Sequence, residues 1–142
     1  INVCESLDTM FKEKHITINR VKKDIEDTFV LIKNYEFADI LDNCLQNAVK
    51  AVKDCAEKRI DIILYKSPPK IHIDIRDSGI GINKDMWEKI FESGFSQFKS
   101  GGKGLYHARE ILKNYGSRIY IKESSKNSGT TFTIELNEGR KK

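Results

Sequence analysis

The stretch "KIHIDIRDSGIGI", residues 70 to 82, decides how this chain is read. Apolar and polar residues alternate along it, as a strand with one buried face requires. Ile71, Ile73 and Ile75 share one face, and His72, Asp74 and Arg76 share the other. Asp77 continues the isoleucine parity, so a carboxylate enters the apolar side. That placement is costly unless something hydrogen-bonds the carboxylate. A ligand with an amino group, such as the exocyclic amine of adenine, supplies the bond, whereas the carbonyl that guanine carries there is repelled. Gly79 and Gly81 permit a tight turn and close approach by a ligand. A lone Asp-x-Gly-x-Gly also fits an ordinary Asx-type turn.

Working outward, "IDIILY" (60–65) reads as a second strand, separated from the first by the breaker Ser67-Pro68-Pro69. Upstream of it, the spacing predicts a long helix from Tyr35 to about Lys58. Phe37, Leu41, Cys44, Ala48, Val52 and Cys55 fall on its apolar face. Residues 3–14 predict a short amphipathic helix, "HITINRV" (15–21) a strand, and "TFVLI" (28–32) a short apolar run. Downstream, a helix is expected over 84–91, then a glycine-rich segment and a helix over 104–115. Strands over 117–122 and 130–136 follow, joined by a turn containing Asn127-Ser128-Gly129. Hairpins and helices, rather than regular β-α-β units, predict an α/β two-layer sandwich: a mixed, mostly antiparallel sheet with helices packed on one face.

Composition narrows the functional classes. A length of 142 residues suits one domain. Within it, residues 1–34 are expected to add a helix and strands to a core over 35–136, with 137–142 a basic disordered tail. There is no apolar run of about 18 residues, so no membrane contact is expected of this piece. The chain opens on Ile1 without a charged-then-apolar leader, and the expectation is a cytoplasmic fragment of a longer protein, any membrane anchor lying elsewhere. The net charge of +4 is interspersed, and Arg140-Lys141-Lys142 is the one basic cluster, so nucleic acid is not an expected partner. Cys4, Cys44 and Cys55 lack metal-ligand spacing and read as apolar residues of a reducing compartment.

Three further constellations bear on chemistry. Asn43, Asn47 and Lys50 form a polar stripe beside the apolar face of the long helix. A neutral asparagine oxygen can ligate Mg²⁺ beside a polyphosphate, and the lysine offers a point charge. Alone, the stripe also fits a solvated helix edge. Thr130 shares the inner face with Phe132, Ile134 and Leu136, where its hydroxyl needs a partner: Asp77, a bound base or a backbone carbonyl. Finally, "IFESGFSQFKSGGKGLYHAR" (90–109) joins four glycines, two lysines and three phenylalanines ahead of a helix. Gly101, Gly102 and Gly104 leave N–H groups and the positive helix end facing outward as a phosphate cradle. Lys99 and Lys103 add charge, and Phe91, Phe95 and Phe98 can hinge the segment as a lid. It is not a Walker A loop, because Gln97 and Gly104 stand where a glycine and a Ser or Thr are needed. Nor is Gly79-Ile80-Gly81 a dinucleotide fingerprint, since Lys84 holds the third glycine position.

Five blocks in order resemble the ATP-binding catalytic domain of sensor histidine kinases, within the Bergerat-fold ATPase superfamily. They are "LDNCLQNAVKAV" (N box), "DSGIGI" (G1 box), "IFESGFS" (F box), "GGKGLYHAREIL" (G2 box) and the closing strand "SGTTFTIEL". The asparagine that opens the N box leans the resemblance toward citrate- and dicarboxylate-sensor kinases. The resemblance implies Asn47 as the Mg²⁺ ligand, with Asn43 and Lys50 near the phosphates. It implies Asp77 as acceptor of the adenine amine, with Gly79, Gly81, Ile82 and Thr130 around the base. Phe95, Lys99, Gly102, Lys103, Gly104 and Leu105 would close over the nucleotide. Tyr106 departs from a second glycine common in the G2 box, and Gly116-Ser117 replaces a frequent Gly-Gly.

The implied activity is transfer of the γ-phosphate of Mg-ATP to a histidine on a separate dimerisation domain, with a response regulator downstream and this domain alone a monomer. Nothing here resembles that dimerisation helix, and His15, His72 and His107 are not assigned as acceptors. The alternatives are an ATP hydrolase of the same fold and a serine kinase of the anti-sigma-factor type. The hydrolase relatives resemble one another in a glutamate four residues before the metal asparagine. Asn43 stands there and cannot serve as a general base, while Asp42 is turned about 100° around the helix. A non-catalytic nucleotide sensor is opposed by the intact Asn47, Asp77 and lid glycines.

Overall fold

The computed structural model describes residues 16–23, 29–92 and 104–139. The expected helix over 3–14, Cys4, His15, most of the glycine-rich segment and residues 140–142 lie outside the described residues. The strands are β1 (Thr17–Lys23), β2 (Phe29–Val30), β3 (Arg59–Ser67), β4 (Lys70–Asp77), β5 (Arg118–Ser124) and β6 (Thr130–Gly139). The helices are α1 (Asn34–Val52) and α2 (Gly104–Lys113). One sheet runs β1-β3-β4-β6-β2, with β5 also on β6. β1 lies parallel to β3 and every other pairing is antiparallel, as the mixed, mostly antiparallel expectation has it.

The alternation of β4 holds. Ile71, Ile73 and Ile75 are buried on the inner face with Ile60 and Ile62 of β3, Ile119 and Ile121 of β5, and Phe132, Ile134 and Leu136 of β6. The apolar stripe of α1 (Ile40, Leu41, Cys44, Leu45, Ala48 and Val49) and Ala108, Ile111 and Leu112 of α2 cover that face. Each large side chain so buried contributes roughly 1.5–3 kcal/mol relative to exposure.

The opposite face carries three rungs that cross the sheet: Asp61–Arg76–Thr131, Ile63–Asp74–Thr133–Tyr120 and Tyr65–His72–Glu135–Arg118. Among the described residues, no helix is long and apolar enough to cross a membrane.

Three elements depart from expectation. α1 ends at Val52 and not near Lys58, because the Ile80 N–H donates to the Ala51 carbonyl at 3.3 Å and the Cys55 N–H to that of Val52 at 3.0 Å. Cys55 therefore sits past the helix and is half-buried, whereas Cys44 is a core residue, its thiol pushed up to about 12 by burial. Residues 84–91 form two 3₁₀ turns, Lys84–Met86 and Lys89–Phe91, in place of one helix. The Trp87 indole donates to the Ile82 carbonyl at 3.0 Å, which keeps the chain tight and turns Ile90 and Phe91 into the core. Phe91 packs edge-on to Phe132 and is a core residue, not an exposed hinge. β6 runs to Gly139, so 137–139 are strand where a tail is expected. Asn137 pairs with Lys70, Glu138 pairs with Val30, and Glu138 accepts Lys66 at 2.6 Å.

Candidate functional site

Asp77 closes β4 on the inner face and is 3% exposed. Its Oδ1 accepts the Gly79 N–H at 2.9 Å, and the Thr130 N–H also donates to the carboxylate. Oδ2 is buried with no donor. Burial pushes the carboxyl up to about 6, against the lowering effect of those two N–H groups. The strand thus ends in a half-satisfied carboxylate whose spare oxygen lacks a proton donor.

The turn after it is held against α1 and the β5–β6 turn. A Cβ on Gly79 would fall 2.6 Å from the Ala51 carbonyl oxygen, so only glycine lets this turn approach the end of α1. Gly81 has φ +79°, and a Cβ there would meet the Ser125 carbonyl at 1.9 Å. The Asn127 N–H donates to the Ile80 carbonyl at 2.7 Å. Ile82 puts its side chain into the core and its N–H on Ser124 Oγ at 2.7 Å.

The stripe Asn43, Asn47 and Lys50 is partly buried along α1, and its last residue directly precedes Ala51. At its other end stands the first residue of α2. A Cβ on Gly104 would lie 3.7 Å from Asn43 Cβ, an ordinary contact, so the amino end of α2 abuts α1 at Asn43. Leu105 packs partly buried against the core. Two ties fix the antiparallel helices: His107 Nε2 lies 2.7 Å from Asp39 Oδ2, and the Tyr115 hydroxyl donates to Glu36 at 2.6 Å. The polar stripe therefore runs from the Asp77 turn to the amino end of α2. Among the described residues, no cluster of three or more His, Cys, Asp or Glu side chains could hold a metal. A cation on this stripe would need phosphate oxygens to complete its shell.

Thr130 faces Asp77 across the β4–β6 pairing, yet its hydroxyl does not partner the carboxylate. It lies 2.7 Å from Ser124 Oγ, and the Thr130 backbone N–H serves Asp77 instead. Ser124 is the residue sequence reasoning missed. Its signal is a hydroxyl opposite a hydroxyl on neighbouring strands, visible only once β5 is extended to 124. Phe95, Lys99, Gly102 and Lys103 lie outside the described residues.

The chain is similar to several known proteins. A family model described as "Histidine kinase-, DNA gyrase B-, and HSP90-like ATPase" matches residues 33–140. Sensor histidine kinase WalK of Bacillus subtilis (strain 168) is 30% identical over 134 residues, covering 89% of this chain and 22% of WalK. C4-dicarboxylate transport sensor protein DctB of Rhizobium meliloti (strain 1021) is 33% identical over 98 residues, covering 68% of this chain and 16% of DctB. The chain thus spans less than a quarter of the length of either relative. A solved catalytic domain of histidine kinase ThkA superposes with a TM-score of 0.78 at 26% identity, covering 94% of this chain and 90% of that one.

Proposed function

This chain belongs to the histidine kinase-, DNA gyrase B- and HSP90-like ATPase family, and from that premise we propose that it binds ATP and passes the γ-phosphate to a histidine on a separate dimerisation domain. The observation that carries the nucleotide reading is the buried, unpartnered Oδ2 of Asp77. An exocyclic amine supplies the missing donor, and a carbonyl in its place would meet an acceptor. Gly79, Gly81 and Thr130 are assigned to the same base. The polyphosphate then lies along Asn43, Asn47 and Lys50 toward Gly104 and Leu105 at the amino end of α2, where the positive end of the helix dipole favours anions. Phe95, Lys99, Gly102 and Lys103 are assigned to the same nucleotide by sequence position alone.

A Mg²⁺ ion fits the neutral oxygen of Asn47, and when bound it would neutralise charge on the phosphates. Asn47→Ala is expected to reduce magnesium-dependent affinity for ATP while leaving adenosine affinity unchanged in a magnesium titration.

Transfer is favoured over hydrolysis by Asn43, which cannot take a proton from water. The carboxylate one turn earlier, Asp39, is held by His107. In the reaction an imidazole nitrogen bonds the γ-phosphorus, the bond to the β–γ bridging oxygen breaks, and ADP leaves. Catalysis then rests on positioning and charge stabilisation, with no base needed. Similarity to the sensor histidine kinase WalK and the histidine kinase ThkA supports this class. A dimeric helical domain with the acceptor histidine, a response regulator downstream and a cytoplasmic setting belong to the same proposal.

Radiolabelled ATP tests it. The lone chain is expected to bind ATP, release phosphate very slowly and remain unlabelled. A dimeric histidine-bearing helical domain added to it is expected to gain acid-labile label. Acid-stable label would favour a serine kinase, and brisk phosphate release by the lone chain a hydrolase.

A further inference from the structure

Ser124 is the hub of the hydrogen bonds behind the proposed base pocket. Its Oγ accepts the Ile82 N–H at 2.7 Å, contacts Thr130 Oγ1 at 2.7 Å, and donates to the Gly129 carbonyl at 3.0 Å. A serine hydroxyl has one hydrogen and two lone pairs. A carbonyl can only accept, so the Ser124 hydrogen is directed to Gly129. Ser124 must then receive the Thr130 hydrogen. All three contacts are satisfied in this one arrangement, and it leaves Thr130 Oγ1 with lone pairs only for any further partner.

Thr130 stands opposite Asp77 in the β4–β6 register, and both residues are 3% exposed. The unpartnered Asp77 Oδ2 is an acceptor as well. We infer that Ser124 is a positioning residue that fixes Thr130 as a second acceptor beside Asp77, so that the pocket selects a base with an amino group over one with a carbonyl. The inference rests on the adenine reading above and adds to it a residue that does not touch the base. One acceptor binds one amine hydrogen. Two acceptors match both hydrogens of a primary amine and doubly repel a carbonyl oxygen.

The direction of the Thr130 hydrogen makes this testable. In Ser124→Ala the acceptor for that hydrogen is gone, and the hydroxyl is free to turn it toward the ligand. Dissociation constants would be measured for ATP, for inosine triphosphate, which carries a carbonyl in place of the amine, and for inorganic tripolyphosphate. Ser124→Ala is expected to reduce the preference for ATP over inosine triphosphate about five- to tenfold, the scale of one neutral hydrogen bond. Tripolyphosphate affinity should be unchanged, and Ser124→Thr, which keeps the hydroxyl, should retain the wild-type preference. A merely structural role would weaken both nucleoside triphosphates in parallel, and an unchanged ratio would overturn the inference.

Thr130→Val gives a second reading where Ser124→Ala does not fold, since it keeps shape and leaves the Ser124 bonds to Ile82 and Gly129. It should lower ATP affinity without lowering that for inosine triphosphate; equal losses would again overturn the inference. Asp77→Asn separates the two levels. If it leaves ATP affinity unchanged, the adenine reading itself is wrong. If it weakens ATP while the serine and threonine variants leave the ratio intact, only the role of Ser124 is lost.

Discussion

Asp74 and Asp77 lie on the same strand and are buried alike, at 5% and 3% exposure, yet they are opposites chemically. Asp74 faces the side of the sheet away from α1 and α2. It accepts the Thr133 hydroxyl at 2.8 Å, the Lys122 ammonium at 3.2 Å and the Tyr65 hydroxyl at 3.3 Å. Its neighbour Asp61 accepts Arg76 at 2.8 Å and Arg59 at 3.0 Å. Burial alone would raise Asp61, but the hydrogen bonds from Arg76 and Arg59 hold it below the usual carboxylate range. Asp77, on the helix-covered side, has two backbone N–H groups, no cation among the described residues and one oxygen without a donor. A saturated carboxylate stabilises the Asp74 face, where among the described residues charged side chains stand in place of a helical layer. An undersaturated one costs stability, and in the proposed function a ligand amine completes it.

The largest effect should come from the saturated member. Asp74→Ala strands the Thr133 and Tyr65 donors and is expected to destabilise the fold by about 2–4 kcal/mol in urea unfolding. Lys122 is half exposed and recovers water, which keeps the value below that of a fully buried pair. ATP affinity, corrected for the folded fraction, should not change. A loss of affinity beyond that correction would break the division between the two faces.

Asp77→Asn should do the reverse. ATP affinity by calorimetry is expected to weaken by about 1.5–3 kcal/mol, the scale of a charge-assisted hydrogen bond. Stability at neutral pH is expected to rise by about 1–2 kcal/mol, because the charged form of a raised carboxyl is the costly one. A destabilised Asp77→Asn protein would make Asp77 a structural residue like Asp74.

The same contrast should appear as a pH dependence. The Asp77 carboxyl is raised from 3.8 to about 6, so the native state holds its proton more tightly than the unfolded chain. Its contribution to stability is fully present below 3.8 and is lost as pH rises through about 6. Asp61 has the opposite sign: its contribution is present above the ordinary carboxylate range and is lost as pH falls through its lowered value. ATP affinity should fall as pH drops below about 6 in the wild type and stay flat in Asp77→Asn. A wild-type profile as flat as the variant's would contradict the role of the ionised carboxylate.

The smallest effect is expected at Asp39→Asn, which removes the tie to His107. Both side chains are about half exposed, at 45% and 56%. The loss in thermal stability should therefore correspond to only about 0.2–1 kcal/mol. Several kcal/mol there would mean that the docking of α2 on α1, and not the sheet, dominates this end of the domain.

Much of this contrast was legible in the chain. The parity of residues 70–77 places Asp77 among isoleucines and Asp74 away from them, because side chains of a strand alternate whatever surrounds it. The helical spacing of Asn43, Asn47 and Lys50 puts them on one edge of α1 for the same reason. The saturation of Asp74 was not legible. Thr133 lies 59 residues away along the chain and Lys122 lies 48 away, and the bulge at Ile121/Glu123 that accompanies Lys122 has no local signature. The Ser124–Thr130 junction escaped because the strand over 117–122 was expected to stop short of Ser124, so the partners open to the Thr130 hydroxyl were Asp77, a bound base or a backbone carbonyl.

The sequence by itself determined which residues share a face, where a carboxylate enters the core, and the order of motifs from the asparagine stripe to the closing strand. Those properties follow from covalent geometry and a period of two or 3.6 residues. Only the tertiary structure decided which carboxylate is satisfied and which is left wanting, and that α1 stops at Val52, where the Ile80 N–H takes the preceding Ala51 carbonyl. A hydrogen bond needs its partner within about 3 Å. Whether a distant residue reaches that position depends on how the whole sheet and its helices pack, which no local pattern encodes.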